Sequence, residues 1–489
     1  MNRIPRLLYT AAQVRELDRI AIQDNGIDGY VLMCRAGAAA FNLMRTRWPH
    51  ARVVRVLCGS GNNGGDGYVL AALAAQSGLE AEVLATSPAR SPTAIRACKD
   101  YEDAGGRVSA FDQSKLNHAD LLVDAILGTG LTQVLNAAYA EIVGKVNASG
   151  KAVLGLDIPS GLNADTGSVM GDAVRCDATV TFIGAKLGLF TGEGPAVGGT
   201  LVLDDLEVPT GIYVGVEPAA RIITPAKDGI GLPRRRKTMH KGMAGQVLVV
   251  GGGEGMPGAA RMAAQAAYRV GAGLVRVATS PGHTQQITAT CPEIMAIGID
   301  DPGDLGGALE QADVVAIGPG LGKSRWAREL LERSLDSGLP MVVDADALNL
   351  LPEIGQHRGN WILTPHPGEA GRLSGMETAT VQADRAKAAE LIRQRFGGVV
   401  VLKGSGTLVD DGALWVCDRG NPGMASGGMG DVLTGIIGGL VAQGCGLSTA
   451  ARYGVWLHAT AADRAADEGG EIGLMATDLL PHVRRVVNA

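Results

Sequence analysis

The sequence predicts an α/β protein built as two three-layer αβα domains. Three observations carry that expectation. Short apolar segments rich in β-branched residues alternate with alanine-rich segments almost throughout the 489 residues. Polar, glycine-rich motifs recur just after the strand-like segments, where open α/β sheets bind ligands. Seventy-one glycines against five phenylalanines point to many tight strand-to-helix turns rather than an aromatic core.

In the first half the strand segments are Val53–Cys58, Ala81–Leu84, Leu121–Ile126, Val153–Leu156 and Thr179–Ile183. Each is short and apolar, as strands buried on both faces are. Helices are expected over Ala11 to about Gln23, Met33–Met44 and Val69–Gln76. The second half repeats the rhythm with strands at Val247–Val250, Val275–Ala278, Val314–Ile317, Met341–Val343, Trp361–Leu363 and Val399–Leu402. Its helices are expected at Ala259–Val270, Asp384–Arg395 and Asp431–Ala442. Val208–Lys237 is rich in Pro, Gly and Arg and keeps no long period, which sets the domains at 1–220 and 221–489. The halves share architecture but no motif.

A net charge of −6 argues against nucleic acid as the main partner, and the Arg234–Lys237 run reads as a solvated linker. Seven scattered cysteines, with no Cys-x-x-Cys, fit reduced thiols in a cytoplasmic protein. Met1–Pro5 lacks the apolar stretch of a signal peptide, and no apolar run approaches about 18 residues, so no membrane span is expected.

The run from Asn421 to Leu433 is the most informative stretch. Small residues crowd a turn, one carboxylate follows at Asp431, and an apolar helix then opens. A helix start aims free N–H groups at an anion, and a carboxylate beside phosphate makes sense as a base or a metal ligand. The run reads as a phosphoryl-transfer site with Asp431 taking a hydroxyl proton. Lys403 and the N–H groups of Gly404–Gly406 can neutralise phosphate charge. His366, between two prolines, is aimed by a stiff loop. Gly252 and Gly253 lack dinucleotide-fingerprint spacing and read as close packing near the site. In the first half, Cys58–Gly67 is a glycine-rich turn after a strand. Asp124, Asp157–Asn163 and Lys186 close or follow other strands, so a parallel sheet gathers them along one edge. Their Asn, Asp and Ser oxygens suit a hard cation.

Residues 8–210 resemble the epimerase domain of NAD(P)H-hydrate repair enzymes, through Asn62–Gly67, Asp124–Leu131, Asp157–Asn163 and Phe182–Leu189. Residues 225–489 resemble the ADP-dependent NAD(P)H-hydrate dehydratase. The matching segments are Gly318–Gly322, Asp344–Asn349, Leu363–Glu369, Lys403–Thr407 and Asn421–Leu433. The resemblance implies a Rossmann-like first domain and a ribokinase-like second. It places potassium ligands on Asn63, Asp124 and Ser160. Substrate contacts fall on Asn62, Asn63, Gly64, Gly65, Asp66, on Gly128, Thr129, Gly130, Leu131, Thr132, Gln133, Val134, and on Asp157. In the second domain Lys403, Gly404, Ser405, Gly406, Thr407 and Gly430 would hold the nucleotide, while Ala259, Gly320, His366 and Asp431 would face the hydrated nicotinamide. The implied substrates are hydrated NADH or NADPH and ADP, with magnesium on the phosphates, in a homo-oligomer. Asp157, tuned by Lys186, is expected to be the acid and base of epimerisation, and Asp431 the base of the ADP-dependent dehydration. Two other readings stay open. A small-molecule kinase would release a stable phosphomonoester, and the first domain could be a dinucleotide sensor.

Overall fold

The computed structural model describes residues 6–489, and the reading of Met1–Pro5 lies outside the described residues. The chain divides into two units, Met1–Arg221 and Ile222–Ala489, and the division falls in the short strand Ala220–Ile222.

In the first unit the five expected strands are Val53–Cys58, Glu80–Ala85, Leu121–Ala125, Ala152–Leu156 and Ala178–Phe182. Arg107–Ala110 and Thr200–Asp204 complete the edges of a seven-stranded, wholly parallel sheet. Both edge strands are only partly buried, so neither reads as a continuous apolar run. Counted along the chain, the strand order is third, second, first, fourth, fifth, sixth, seventh. Winding therefore reverses between Val53–Cys58 and Leu121–Ala125, and the crevice beyond their C-terminal ends is the natural ligand site. Alternate strand residues feed two cores. Val54, Val56, Val123 and Leu154 enter one with Tyr68, Leu70 and Ala74 of helix Asn62–Gln76. Leu57, Leu122 and Val153 enter the other with Val143 and Val146 of helix Ala137–Ala148. These are the three layers the strand pattern demands.

One element departs from expectation. The helix expected at Val69 starts at Asn62, so Asn62–Gly67 forms its first turns rather than a preceding loop. The glycines explain this. A Cβ on Gly64 would stand 2.2 Å from Gly59 O, and one on Gly67 would stand 2.7 Å from Ala125 Cβ. The helix start is pressed onto the strand ends. Elsewhere, strand Leu7–Tyr9 pairs with the short strand Ala185–Lys186, Tyr9 opposite Lys186, outside the seven-stranded sheet.

In the second unit Met295–Gly298, Leu274–Thr279, Gln246–Val250, Val314–Ile317, Met341–Val343, Trp361–Leu363 and Val399–Leu402 run parallel. Thr407–Asp410 and Leu414–Cys417 follow antiparallel. The order again runs third, second, first, fourth onward, with the reversal between Gln246–Val250 and Val314–Ile317. Helices Pro257–Val270 and Met429–Ala442 lie on one face and share a core with Val247, Val249, Val314 and Ala316. They touch backbone to backbone: a Cβ on Gly435 would sit 1.9 Å from Ala263 O, and one on Gly439 2.4 Å from Val270 Cγ1. All seven cysteines are free thiols. Among the described residues no helix is long and apolar enough to cross a membrane.

That helix contact yields a prediction. Gly435→Val overpacks it and destabilises the protein by about 1–3 kcal/mol or more, read as a lower midpoint in calorimetric unfolding. An unchanged midpoint would contradict the close contact.

Candidate active sites of the two units

In the first unit, Asp157 follows strand Ala152–Leu156 with φ +64°, a left-handed conformation uncommon for a residue bearing a Cβ. Its amide donates to Val180 O at 2.7 Å, which holds that strained turn. Lys186, fully buried, donates to Asp157 Oδ1, to Thr181 Oγ1 at 3.0 Å and to Phe182 O at 3.1 Å. All three ammonium protons are thus directed, and the lysine holds one oxygen of Asp157. The other oxygen, Oδ2, faces Gly128: a Cβ there would stand 4.0 Å from it and 3.3 Å from Asn63 Cβ. Two further carboxyls surround this pair. Burial, reinforced by the charges of Asp157 and Asp18, pushes Asp66 well above the usual carboxylate range. Burial also pushes Asp18 up to about 6, opposed by Lys186 and aided by Asp157. Two carboxyls raised by burial therefore flank the lysine-bound Asp157, an unequal grouping of the kind that acid and base work requires.

Asn63, Asp124 and Ser160 come together beside this pair. Ser160 donates to Asp124 through its hydroxyl at 2.6 Å and its amide at 2.7 Å. Asn63 Nδ2 donates to Leu127 O at 2.9 Å, and Leu127 N donates to Ser160 Oγ at 2.8 Å. Burial raises Asp124 to about 6, against the Ser160 hydrogen bonds. Asn63 Oδ1 is buried and accepts no hydrogen bond. An orphaned amide oxygen beside a buried carboxylate, a hydroxyl and a carbonyl is a donor set that fits a monovalent or other hard cation. Asn62 is tied by Thr93 Oγ1 at 3.1 Å. Gly128 borders the pair, and Thr129–Leu131 continue from it. Thr132, Gln133 and Val134 stand exposed, Val134 beside Gly171.

In the second unit, Asp344 ends strand Met341–Val343 and is buried. Its Oδ1 accepts from Lys403 Nζ at 2.7 Å and its Oδ2 from Thr434 Oγ1 at 2.8 Å. Burial opposes its charge most, but Lys403 together with the Thr434 and Thr364 hydroxyls overcomes that and holds Asp344 below the usual range. Lys403 Nζ also lies 3.8 Å from Glu369 Oε2. A Cβ on Gly430 would come within 3.1 Å of Nζ and 3.5 Å of Asp344 Oδ2, so only glycine lets the helix start lie over this ammonium. That helix, Met429–Ala442, is entered through Gly428 at φ +91°, and its first internal bond runs from Val432 N to Gly428 O. The N–H groups of Met429, Gly430 and Asp431 are left to an external acceptor. Asp431 is in this first turn. Burial and then Asp344 push it up to about 7, with Lys403 pulling the other way. Burial likewise raises Glu369 to about 7 against Lys403.

His366 is aimed by more than its prolines. It caps helix Pro367–Ser374, its Nδ1 accepting from Gly368 N at 3.0 Å and more weakly from Glu369 N at 3.4 Å. Nε2 then carries the proton, 3.3 Å from Glu369 Oε1. Burial, Lys403 and Arg372 all hold its pKa below the ordinary value, so the ring is neutral at pH 7. Gly320 meets the start of helix Pro257–Val270: a Cβ would lie 3.1 Å from Ala259 Cβ. Gly252 N and Gly253 N donate to Pro319 O at 3.0 Å and Gly320 O at 2.7 Å, the close packing expected of this pair. Gly404, Ser405, Gly406 and Thr407 form the hairpin bend after Lys403. The lysine side chain turns back from that bend to the carboxylates.

Sequence reasoning passed over Asp18 and Asp66 as acids, and Asp344, Glu369 and Thr434 as site residues. Asp344 was findable. Like Asp124, it is a carboxylate at the end of a wholly apolar strand.

Comparison with known proteins completes the description. A family model described as NAD(P)H-hydrate dehydratase matches residues 247–485, and one described as YjeF-related protein N-terminus matches 29–188. The bifunctional NAD(P)H-hydrate repair enzyme Nnr of Coxiella burnetii is 49% identical over 486 residues, 99% of each chain. That of Escherichia coli K12 is 42% identical over 491 residues, 99% of this chain and 95% of its own. Among solved structures, a hypothetical protein of Streptococcus mutans superposes with TM-score 0.50 at 31% identity, over 55% of this chain and 98% of its own. With such identity along nearly the full length of its relatives, the chain belongs to the family of bifunctional NAD(P)H-hydrate repair enzymes.

Proposed function

We propose that this protein repairs hydrated nicotinamide cofactors. Residues 1–220 interconvert the R and S forms of hydrated NADH or NADPH, and residues 221–489 dehydrate the S form at the expense of ADP. The observation that carries the second assignment is Asp431 in the open first turn of its helix. Its carboxyl is poised near neutrality beside the Lys403 ammonium. Water added across C5–C6 of the ring leaves a hydroxyl on a carbon that also bears the ring nitrogen. Hydroxide is a poor leaving group and phosphate a good one. Asp431 takes the hydroxyl proton as that oxygen attacks the terminal phosphorus of ADP and the bond to AMP breaks. The N–H groups of Met429, Gly430 and Asp431 meet the developing charge. Phosphate then departs from C6, pushed by the ring nitrogen, and loss of the C5 proton restores the dihydronicotinamide. AMP and phosphate remain. His366, neutral and protonated on Nε2 beside Glu369, serves as a donor to the substrate, and Ala259 and Gly320 as small walls that admit the ring. Asp344 has both oxygens engaged, by Lys403 and Thr434. Magnesium accordingly belongs with the phosphates of ADP, where it would spread their charge.

In the first unit, Asp157 acts as acid and base for reversible loss and re-addition of water at C6. Lys186 holds Oδ1 while Oδ2 faces the Gly128 loop and the substrate. Asn63, Asp124 and Ser160 would hold potassium, supported by the orphaned Asn63 Oδ1. A cation there would supply positive potential beside the substrate's diphosphate. The seven unpaired thiols are in keeping with a cytoplasmic setting.

Three outcomes are expected. Asp431→Ala loses dehydration by about 10²–10⁴-fold and keeps epimerisation, while Asp157→Asn does the reverse. Either variant losing both activities while folded refutes the division of labour. Dehydratase kcat/KM rises with pH through about 7, because Asp431 must be ionised to act as base. A profile flat from pH 5.5 to 8.5 contradicts that role. Replacing potassium by lithium slows epimerisation in the intact protein and leaves dehydration of pure S hydrate unchanged, and Asn63→Ala removes the cation response. Equal epimerisation rates in both salts would remove the cation from the account.

A further inference from the structure

Beneath the bend Lys403–Thr407 lies a side chain that sequence alone gives no reason to notice. Arg385 opens helix Arg385–Phe396 and is 1% exposed. Its guanidinium donates to the carbonyls of the very segment that precedes and forms the bend. These are Leu402 O at 3.2 Å, Lys403 O at 3.1 Å, Ser405 O, and Gly406 O at 3.3 Å. The bend is moulded to it: Gly404 has φ +139°, and a Cβ there would stand 2.9 Å from Arg385 Nη2. In a planar trans peptide the carbonyl of one residue and the N–H of the next point in opposite directions. Carbonyls of Lys403 and Ser405 drawn down onto the guanidinium therefore turn the N–H groups of Gly404 and Gly406 away from it. The Thr407 hydroxyl, donating to Gly404 O at 2.9 Å, ties the bend across its width. Burial lowers the pKa of Arg385 to about 10, which still leaves it charged at pH 7.

We propose that Arg385 is the positioning residue of the ADP site. It shapes the Gly404–Gly406 bend so that its N–H groups face the nucleotide phosphates, and it sets a full positive charge directly behind them without touching the ligand. The proposal rests on the assignment of this bend to ADP. Lys403 cannot take the same part, because its ammonium is engaged by Asp344 and lies beside Glu369. A lysine at 385 cannot reproduce the part either, since a point charge with three donors does not span four carbonyls as a planar fork does.

The test is Arg385→Lys in the full chain, read by calorimetric binding of ADP with magnesium and by steady-state kinetics. Loss of one or two such hydrogen bonds is expected to weaken ADP binding and raise its KM by about tenfold or more. kcat, the KM for S hydrate and epimerisation should stay close to wild type. Arg385→Gln, which keeps two donors and removes the charge, is expected to show the same ADP-selective defect and supplies the reading if the lysine variant does not fold. A folded variant binding ADP as the wild type does overturns the proposal. So does a variant that loses ADP and hydrate affinity alike, since that is a general structural defect. A wild-type protein that binds no ADP would instead sink the assignment of the bend.

Discussion

Lys403 donates to a carboxylate that has almost no contact with solvent, Asp344, and the second site is arranged around that contact. A buried carboxylate is tolerated only when paired, and here the pairing is strong enough to keep Asp344 ionised against its burial. The ammonium it fixes then has two more carboxyls to serve, Glu369 and Asp431. One charge cannot hold three carboxylates ionised. The result is a division in which Asp344 keeps its charge while Glu369 and Asp431 titrate near neutrality. A carboxyl so poised is about half-ionised at pH 7, and Asp431 stands in a helix turn whose N–H groups are open to an anion.

Both units reach their chemistry by one topological route. A parallel sheet wound outward from its first strand in both directions leaves a crevice at the reversal, and the chain segments that leave the strands there carry glycine for close approach. Each site also pairs a lysine with a carboxylate, Lys186 with Asp157 and Lys403 with Asp344. The two pairs are put to different ends. Asp157 keeps one oxygen toward open space, on a strained turn, and can itself handle protons. Asp344 has both oxygens occupied and acts only by fixing the charge that its neighbours feel.

Much of this was legible in the chain. Val314–Ile317, Met341–Val343, Trp361–Leu363 and Val399–Leu402 begin and end where the apolar runs do, because strands buried on both faces admit nothing else. Edge strands such as Arg107–Ala110 and Met295–Gly298 face solvent in part and lose that signature. Helix Asn62–Gln76 hid its start behind glycines that composition assigns to turns, although packing against Gly59 and Ala125 requires them there. Strand-end position marked Asp124 and Asp157, since topology gathers strand ends, and a glycine-rich turn before an apolar run marked Asp431. Glu369 and Arg385 were invisible for the opposite reason. A buried arginine or glutamate looks in sequence like any surface one, and only folding reveals which carbonyls or cations it meets.

The proposed dehydration needs Asp431 to meet the ring hydroxyl at the mouth of a phosphate cradle. A crystal structure of the protein with hydrated NADPH and AMP would show whether it does. The Asp431 carboxylate is expected about 2.6–3.2 Å from the C6 oxygen, with the AMP phosphate on the Gly404–Gly406 bend and the Met429–Asp431 amides facing the gap between them. A hydrate bound with its C6 oxygen out of reach of Asp431, or seated away from Lys403 and the helix start, would contradict it.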